Sequence, residues 1–221
     1  MANERAVEKT VGGAAGRLWR AGVGGKAMVY KQKGLRRRRR LFDVAARLFA
    51  ERGYHGTSLQ DLAREMGLKK SSLYHYMSSK EDLLFQLLDE HITVALEEIQ
   101  GLAPPQAPPL VRLQGFLRFY TRFYASDRHR LILLVNELDN LSPAHRQVLV
   151  AKQRRYLEAI EDILAGLRRE GLMKEIPPAV AAFAFFGMVH YTYKWFRPAG
   201  SVDYAELGEY FQEIFTRGVL A

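Results

Sequence analysis

Seven polar side chains, Lys69, Lys70, Ser71, Ser72, Tyr74, His75 and Tyr76, surround a single leucine between residues 69 and 76. Ammonium, hydroxyl and imidazole groups at this density offer donors to an acceptor-rich partner, such as base-pair edges and the phosphates beside them. A second cationic feature, the run Arg36, Arg37, Arg38, Arg39 and Arg40, fits contact with a phosphate backbone or a reach into a minor groove. Its plainer reading is a solvated charge run. The charge of the chain divides in the same sense. Residues 1–80 hold 18 Lys+Arg against 6 Asp+Glu (+12), and residues 81–221 hold 15 against 18 (−3), within a total of +9. A basic segment gains affinity by releasing counterions from phosphates, so nucleic acid is the expected partner of the N-terminal end and not of the rest.

The groups that reaction chemistry would need are not assembled. There is no cysteine, which removes disulfides, thiolate metal sites and cysteine nucleophiles together. His55, His75, His91, His129, His145 and His190 form no HExxH or other ligand spacing, and no Gly-x-Ser-x-Gly elbow occurs. Gly12-Gly13-Ala14-Ala15-Gly16 lacks the spacing and the flanking strand of a phosphate loop. No catalytic residue, metal or resident cofactor is expected, and an enzyme is not. The longest apolar stretch, Ala179 to Val189, is too short to span a bilayer, and the N-terminus lacks a signal-peptide pattern; a cytoplasmic protein without a membrane partner is expected.

The elements that must position these donors read as helices throughout. Residues 1–35 are rich in glycine at their start and without an apolar period, which predicts a flexible basic tail, with Met28 as an alternative starting residue. A first helix is expected from Arg36 to Arg52, with Leu41, Ala45, Leu48 and Phe49 on one face and Gly53 as its stop. Thr57 and Gln60 have the spacing of a capping box, opening a short helix to Glu65. Gly67 then permits a tight turn into a second short helix, Lys70 to Tyr76, the mechanics of a helix-turn-helix with Leu62, Ala63, Leu68 and Leu73 inward. Ser79 opens a connecting helix to about residue 100, and the proline-rich run Gly101 to Pro109 marks a joint. Beyond it, helices are expected over about 110–125, 128–140, 143–170, 178–195 and 203–217. That gives an all-α fold of about nine helices: a helix-turn-helix domain over 36–82 and a second helical domain over 101–221. The helix between Pro143 and Gly171 would be about 28 residues, or about 42 Å, long.

The first-helix pattern Ala45-Ala46-Arg47-Leu48-Phe49-Ala50-Glu51-Arg52-Gly53-Tyr54, the segment Thr57-Ser58-Leu59-Gln60-Asp61-Leu62-Ala63, and Leu73-Tyr74-His75-Tyr76 followed by Ser79-Lys80-Glu81-Asp82-Leu83-Leu84 together resemble the TetR family of one-component regulators. The chain departs from the family at Met77, where phenylalanine is usual, and in its long N-terminal segment; methionine is apolar enough to pack in that place. The resemblance implies that Ser58, Ser72, Tyr74 and Lys80 touch phosphates and that Lys70, Ser71 and His75 reach base edges, with Thr57, Lys69 and Tyr76 on the same surface. It also implies a homodimer on a pseudo-palindromic duplex operator, its recognition helices about 34–36 Å apart, released by a small molecule. Repression is the family's usual mode. A ligand-independent architectural DNA-binding protein is the alternative from another class.

The second half offers walls for an apolar cleft. Phe116, Phe119, Tyr120, Phe123 and Tyr124 form one stripe, and Phe183, Phe186, His190 and Tyr193 another; Leu134, Glu137 and Arg197 join them as candidate ligand contacts. Such stripes are ordinarily core, and the polar tips are what favour a site. The stretch Tyr191 to Gly200 is similar to a signature of the family's acyl-CoA-responsive branch, which implies a fatty or aryl acyl-CoA effector, its phosphates met by Lys152, Arg154, Arg155 or Arg197; another hydrophobic effector is the alternative. Val180, Phe183, Tyr204, Leu207, Tyr210, Phe211 and Ile214 are the expected dimer surface, unless one subunit consumes them itself.

Overall fold

The computed structural model describes residues 25–104 and 106–221, with side chains from residue 34 onward. The expected tail over residues 1–24 lies outside the described residues. Residues 25–35, expected in that tail, are instead the start of α1 (Gly25–Arg52), eleven residues earlier than Arg36. Lys26, Ala27, Met28, Lys31, Gln32 and Lys33 are all good helix formers, and one interior glycine, Gly34, costs too little to stop them. Residues up to Arg39 and residues from Arg40 onward are two units, and the second holds everything that follows.

In that second unit α1 buries Leu41, Phe42, Ala45, Ala46, Leu48 and Phe49, the face given by their spacing. The cap of α2 (Leu59–Met66) differs from expectation. Ser58, not Thr57, is the N-cap: its hydroxyl accepts the Asp61 N–H at 3.1 Å, and Asp61 accepts the Ser58 N–H at 3.0 Å. Thr57 is fully buried and donates its hydroxyl to the carbonyls of Leu48 and Gly53 at 3.1 and 3.0 Å, stitching the end of α1 to the loop after it. Gly67 takes φ 66°, a left-handed conformation open to glycine at no steric cost, and thereby turns the chain from α2 into α3 (Lys70–Leu73). α3 is one turn long; Tyr74 to Tyr76 continue as a tight turn in which the Tyr76 N–H donates to the Leu73 carbonyl at 2.8 Å. Leu62, Ala63, Leu73 and Met77 are buried under the crossing, and Leu68 packs partly against it.

α4 (Lys80–Gly101) is capped by Ser79, whose hydroxyl accepts the Asp82 N–H at 2.9 Å. There follow α5 (Pro109–Ser126), α6 (Arg128–Asn136) with a 3₁₀ turn at Leu138–Asn140, and α7 (Pro143–Arg169), 27 residues long between Ser142 and Gly171 as expected. The apolar helix expected over 178–195 is divided into α8 (Pro178–His190) and α9 (Thr192–Trp195). Buried Thr192 donates its hydroxyl back to the Val189 carbonyl at 2.7 Å, a local bond that competes with the helical ladder at that point. α10 (Tyr204–Val219) closes the chain, capped by Asp203. Among the described residues there is no strand, only a bridge between Met173 and Leu220.

α10 lies along α5 at the closest range its composition allows: a Cβ on Gly208 would meet the Arg118 carbonyl oxygen at 3.3 Å. α7 turns Leu149, Tyr156, Ile160, Ile163, Leu164 and Leu167 inward against α4 and α5, and the apolar core runs without interruption from Leu41 to Val219. Thr57→Val, which removes a buried hydroxyl shared between the Leu48 and Gly53 carbonyls, should lower stability by about 0.5–1.5 kcal/mol, and Ser58→Ala by about 1 kcal/mol. Denaturant midpoints at unchanged slope measure both.

Candidate nucleic-acid interface and ligand cavity

Leu73 and Met77, buried, turn the rest of the segment outward. Lys69, Lys70, Ser71, Tyr74 and His75 are exposed, Tyr74 by half, while Ser72 and Tyr76 are half-buried. Tyr76 packs partly on the core and its carbonyl accepts from Gln86 Nε2 at 3.3 Å, so it belongs more to the support than to the surface. Three expected contacts are wholly or partly engaged within the protein. Thr57 has no exposed surface and both its hydroxyl bonds are internal. The Ser58 hydroxyl is exposed but engaged by Asp61 in the cap. Lys80 donates to the carbonyls of Tyr54 and Thr57 at 2.9 and 3.0 Å and lies over the Tyr54 ring at 4.2 Å, which leaves one of its three N–H groups. It pins the turn between α1 and α2. Arg36, Arg37, Arg39 and Arg40 are exposed and Arg38 is half-buried; the five are helical, so at 100° per residue they point all round the axis and do not form an extended arm.

The beginning of α4 is tied to the beginning of α7. Glu81 accepts the Ser142 N–H at 2.8 Å and meets His145 Nδ1 at 2.8 Å, and the His145 ring stacks on Phe85 at 3.9 Å between centroids. Partial burial works against the Glu81 charge, but the Ser142 N–H and His145 outweigh it and hold the carboxyl below the usual range. Arg130 of α6 bridges Asp127 at 2.6 Å and Asp43 of α1 at 2.8 Å.

A cavity of about 520 Å³ opens between α5, α6, α7 and α8. Five expected residues line it: Tyr120, Leu134, Phe183, Phe186 and His190. Six others complete it: Val150, Gln153, Arg154, Tyr156, Leu157 and Gly187. Of these only Arg154 figured in the sequence reading, as a phosphate partner. The missed signal was the spacing 150, 153, 154, 157, one face of α7. Tyr120, Leu134 and Tyr156 are buried and form the floor; Val150, Arg154 and Phe183 are exposed and form the rim. At the floor the Tyr120 hydroxyl and His190 Nε2 lie 3.0 Å apart. Behind it the Tyr124 hydroxyl donates to Tyr156 at 2.9 Å, and Tyr156 donates to the Ile92 carbonyl at 2.7 Å.

The other expected lining residues lie elsewhere. Phe116 is buried against Tyr120, Phe185 and Phe186 and borders a different hollow with Ile99 and Ile163, and Tyr124 has no exposed surface. Phe119 stacks on Phe123, and Phe123 on His91 at 4.6 Å, on another face of α5. α5 has neighbours on several sides, so an aromatic stripe along it serves more than one of them. Glu137 accepts from Asn140 Nδ2 at 2.6 Å beside the 3₁₀ turn. Tyr193 belongs to a separate shallow hollow with Phe196 and Tyr204, and exposed Arg197 donates to the Phe196 carbonyl at 3.1 Å. Of the expected phosphate partners, Lys152 is paired with Asp89 and donates to Thr93 Oγ1 at 2.7 Å, whereas Arg154 has no hydrogen bond or ion pair among the described residues.

The expected dimer surface is also divided. Leu207 and Phe211 are consumed in the packing of α10, and Tyr204 rests on Phe196 with ring centroids 5.3 Å apart. Val180, Phe183, Tyr210 and Ile214 remain at 50–61% exposure on α8 and α10.

Two family models match the chain: the tetR family of bacterial regulatory proteins over residues 41–87, and the tetracyclin repressor-like C-terminal domain over residues 106–219. The chain belongs to the TetR family. TetR proteins are DNA-binding transcription regulators, and the helix-turn-helix described above is the part that the first model covers. Among relatives, the HTH-type transcriptional repressor KstR2 of Mycobacterium tuberculosis is 28% identical over 189 residues, 83% of this chain and 92% of that protein. Among solved structures, a TetR-family regulator from Bordetella parapertussis is 33% identical with a TM-score of 0.73, covering 80% of this chain and 93% of that one. AibR, solved with isovaleryl coenzyme A and operator DNA, is 29% identical with a TM-score of 0.71, covering 80% and 97%. In this TetR chain no helix among the described residues is long and apolar enough to cross a membrane.

Two histidines, His91 of α4 and His190 of α8, are neutral in the folded protein at pH 7. Burial pushes both His91 and His190 down to about 4, and His91 Nε2 has no hydrogen-bond partner among the described residues. An unfolded chain would protonate them near pH 6.5, so folded stability is full above that value and falls as the pH drops from about 6.5 towards 4. Between pH 7.5 and pH 5 each should cost up to about 2 kcal/mol. Urea denaturation at the two pH values measures the loss, and His91→Leu should remove about half of it.

Proposed function

We propose that this chain is a transcriptional repressor that binds a pseudo-palindromic operator as a homodimer and leaves it when an acyl-CoA enters the α5–α8 cavity. The observation that carries the DNA half is the exposed donor set Lys69, Lys70, Ser71, Tyr74 and His75 on a one-turn helix backed by Leu73 and Met77. Lys70, Ser71 and His75 read base edges in the major groove; Lys69, Ser72, Tyr74 and the remaining Lys80 donor set register on phosphates. The unpartnered face Val180, Phe183, Tyr210 and Ile214 supports pairing of α8 and α10 with their copies, since a two-fold axis matches one such patch with itself.

The effector half rests on an apolar cavity with the free cation Arg154 at its rim, which suits an apolar acyl group joined to an anionic carrier. The similarity to AibR, solved with isovaleryl coenzyme A, supports the same class. Repression follows the sense of the KstR2 relative, and a cytoplasmic location follows from a DNA target.

Footprinting should reveal one short protected palindrome; protection everywhere would instead indicate an architectural DNA-binding protein. His75→Ala or Lys70→Ala should weaken operator binding by about 1–3 kcal/mol and relax specificity at one position, whereas Lys69→Ala should weaken all sequences alike and lower the salt slope by about one. Ile214→Arg should convert the dimer to monomer in sedimentation and abolish operator binding at the same protein concentration. A panel of acyl-CoA thioesters should release the operator in gel-shift assays, and Arg154→Ala should raise the concentration required about ten-fold.

A further inference from the structure

The floor of the cavity is not purely apolar, and this constrains the ligand further than the rim does. Tyr120 is 2% exposed and sits 3.0 Å from His190 Nε2, with Leu134, Phe186 and Leu157 beside them. Both groups are neutral: burial raises the Tyr120 hydroxyl well above its ordinary range and pushes His190 down to about 4. A neutral tyrosine has one proton and two lone pairs, and a neutral imidazole one proton and one lone pair. One hydrogen bond between them consumes one of each kind. If Tyr120 donates, the proton on His190 Nδ1 is left over; if His190 donates, the tyrosine proton is left over. In either tautomer the pair retains one donor and at least one acceptor, and the described residues provide no second bond to either group. By contrast Tyr156, the other hydroxyl at the floor, is satisfied on both sides by Tyr124 and Ile92. His190 is half-buried, so water can meet this donor while the cavity is empty; a ligand that displaces the water and offers no acceptor would strand it, so whatever fills the cavity is expected to meet it with an oxygen.

We infer that the Tyr120–His190 pair reads an oxygen at the far end of the ligand, so that the cavity selects hydroxylated or oxo-substituted acyl groups over plain hydrocarbon chains of the same length. Arg154 at the rim takes the anionic end and the Tyr120–His190 pair takes a neutral hydroxyl or ketone, with an apolar body between them against Leu134, Leu157 and Phe186. The inference builds on the effector reading above but does not need coenzyme A, because any ligand with an anionic end and a distal oxygen meets the same two polar points.

The test compares matched pairs, 7-oxo-octanoyl with octanoyl and 3-(4-hydroxyphenyl)propionyl with 3-phenylpropionyl, each as coenzyme A thioester and as free carboxylate. Dissociation constants are measured by calorimetry on the full chain. The oxygenated member of at least one pair should bind about ten-fold tighter, and Tyr120→Phe and His190→Leu should each reduce that ratio to about one. Equal affinities within both pairs, or a preference that survives both substitutions, would overturn the inference and leave a thioester effector standing. A preference seen only among the free carboxylates would uphold it and remove coenzyme A. No binding by any of the eight compounds would overturn both readings.

Discussion

A helix of four residues cannot support itself, and this is the constraint on which the proposed DNA-reading surface depends. Forming one helical turn fixes several torsions for a single hydrogen bond, so α3 in isolation would not persist. What holds it is burial: Leu73 and Met77 sit under the crossing with Leu62 and Ala63 of α2, and the Gly67 turn sets the angle between the two helices. Because these apolar residues face inward, Tyr74 and His75 between them turn out, while Tyr76 packs partly on the core. The same side chains that stabilise the fold locally thus determine which donors reach a partner.

Around that crossing the polar contacts serve position more than recognition. Thr57 and Lys80 both hold the loop between α1 and α2, Thr57 from within through two carbonyls and Lys80 from outside through two others. A cation that resembles a phosphate contact by its place in the sequence is largely occupied with its own backbone. α7 extends this framework to the cavity. Its first residues hold Glu81 at the head of α4, and further along it gives Val150, Gln153, Arg154, Tyr156 and Leu157 to the ligand-facing wall. A single helix therefore touches both the cavity and the helix that follows the proposed DNA-reading segment.

The helices themselves were legible because their signals are local. Ser79, Ser142-Pro143, Gly67 and Gly171 mark ends by capping, proline placement and left-handed turns, each within a few residues. Where the signal was ambiguous the reading slipped: Thr57 and Ser58 are adjacent cap formers, and only the packing against Leu48 shows that Thr57 faces inward. The break at Tyr191 was hidden for a related reason, since Thr192 competes with the helix only once its hydroxyl is buried.

The sequence by itself determined the all-helical character, the helix-turn-helix and its outward donors, because periodicity and caps depend on neighbours along the chain. Which aromatic residues line a cavity and which are sealed in the core was decided only by tertiary structure. Phe116, Tyr120 and Tyr124 share one stripe, yet Tyr120 alone of the three reaches the cavity. A helix with several neighbours must divide its apolar faces among them, and that division depends on where α7, α8 and α10 come to rest. The same holds for Leu207 and Ile214, seven residues or about two turns apart on α10 and so on nearly the same face, yet one is buried and the other 60% exposed.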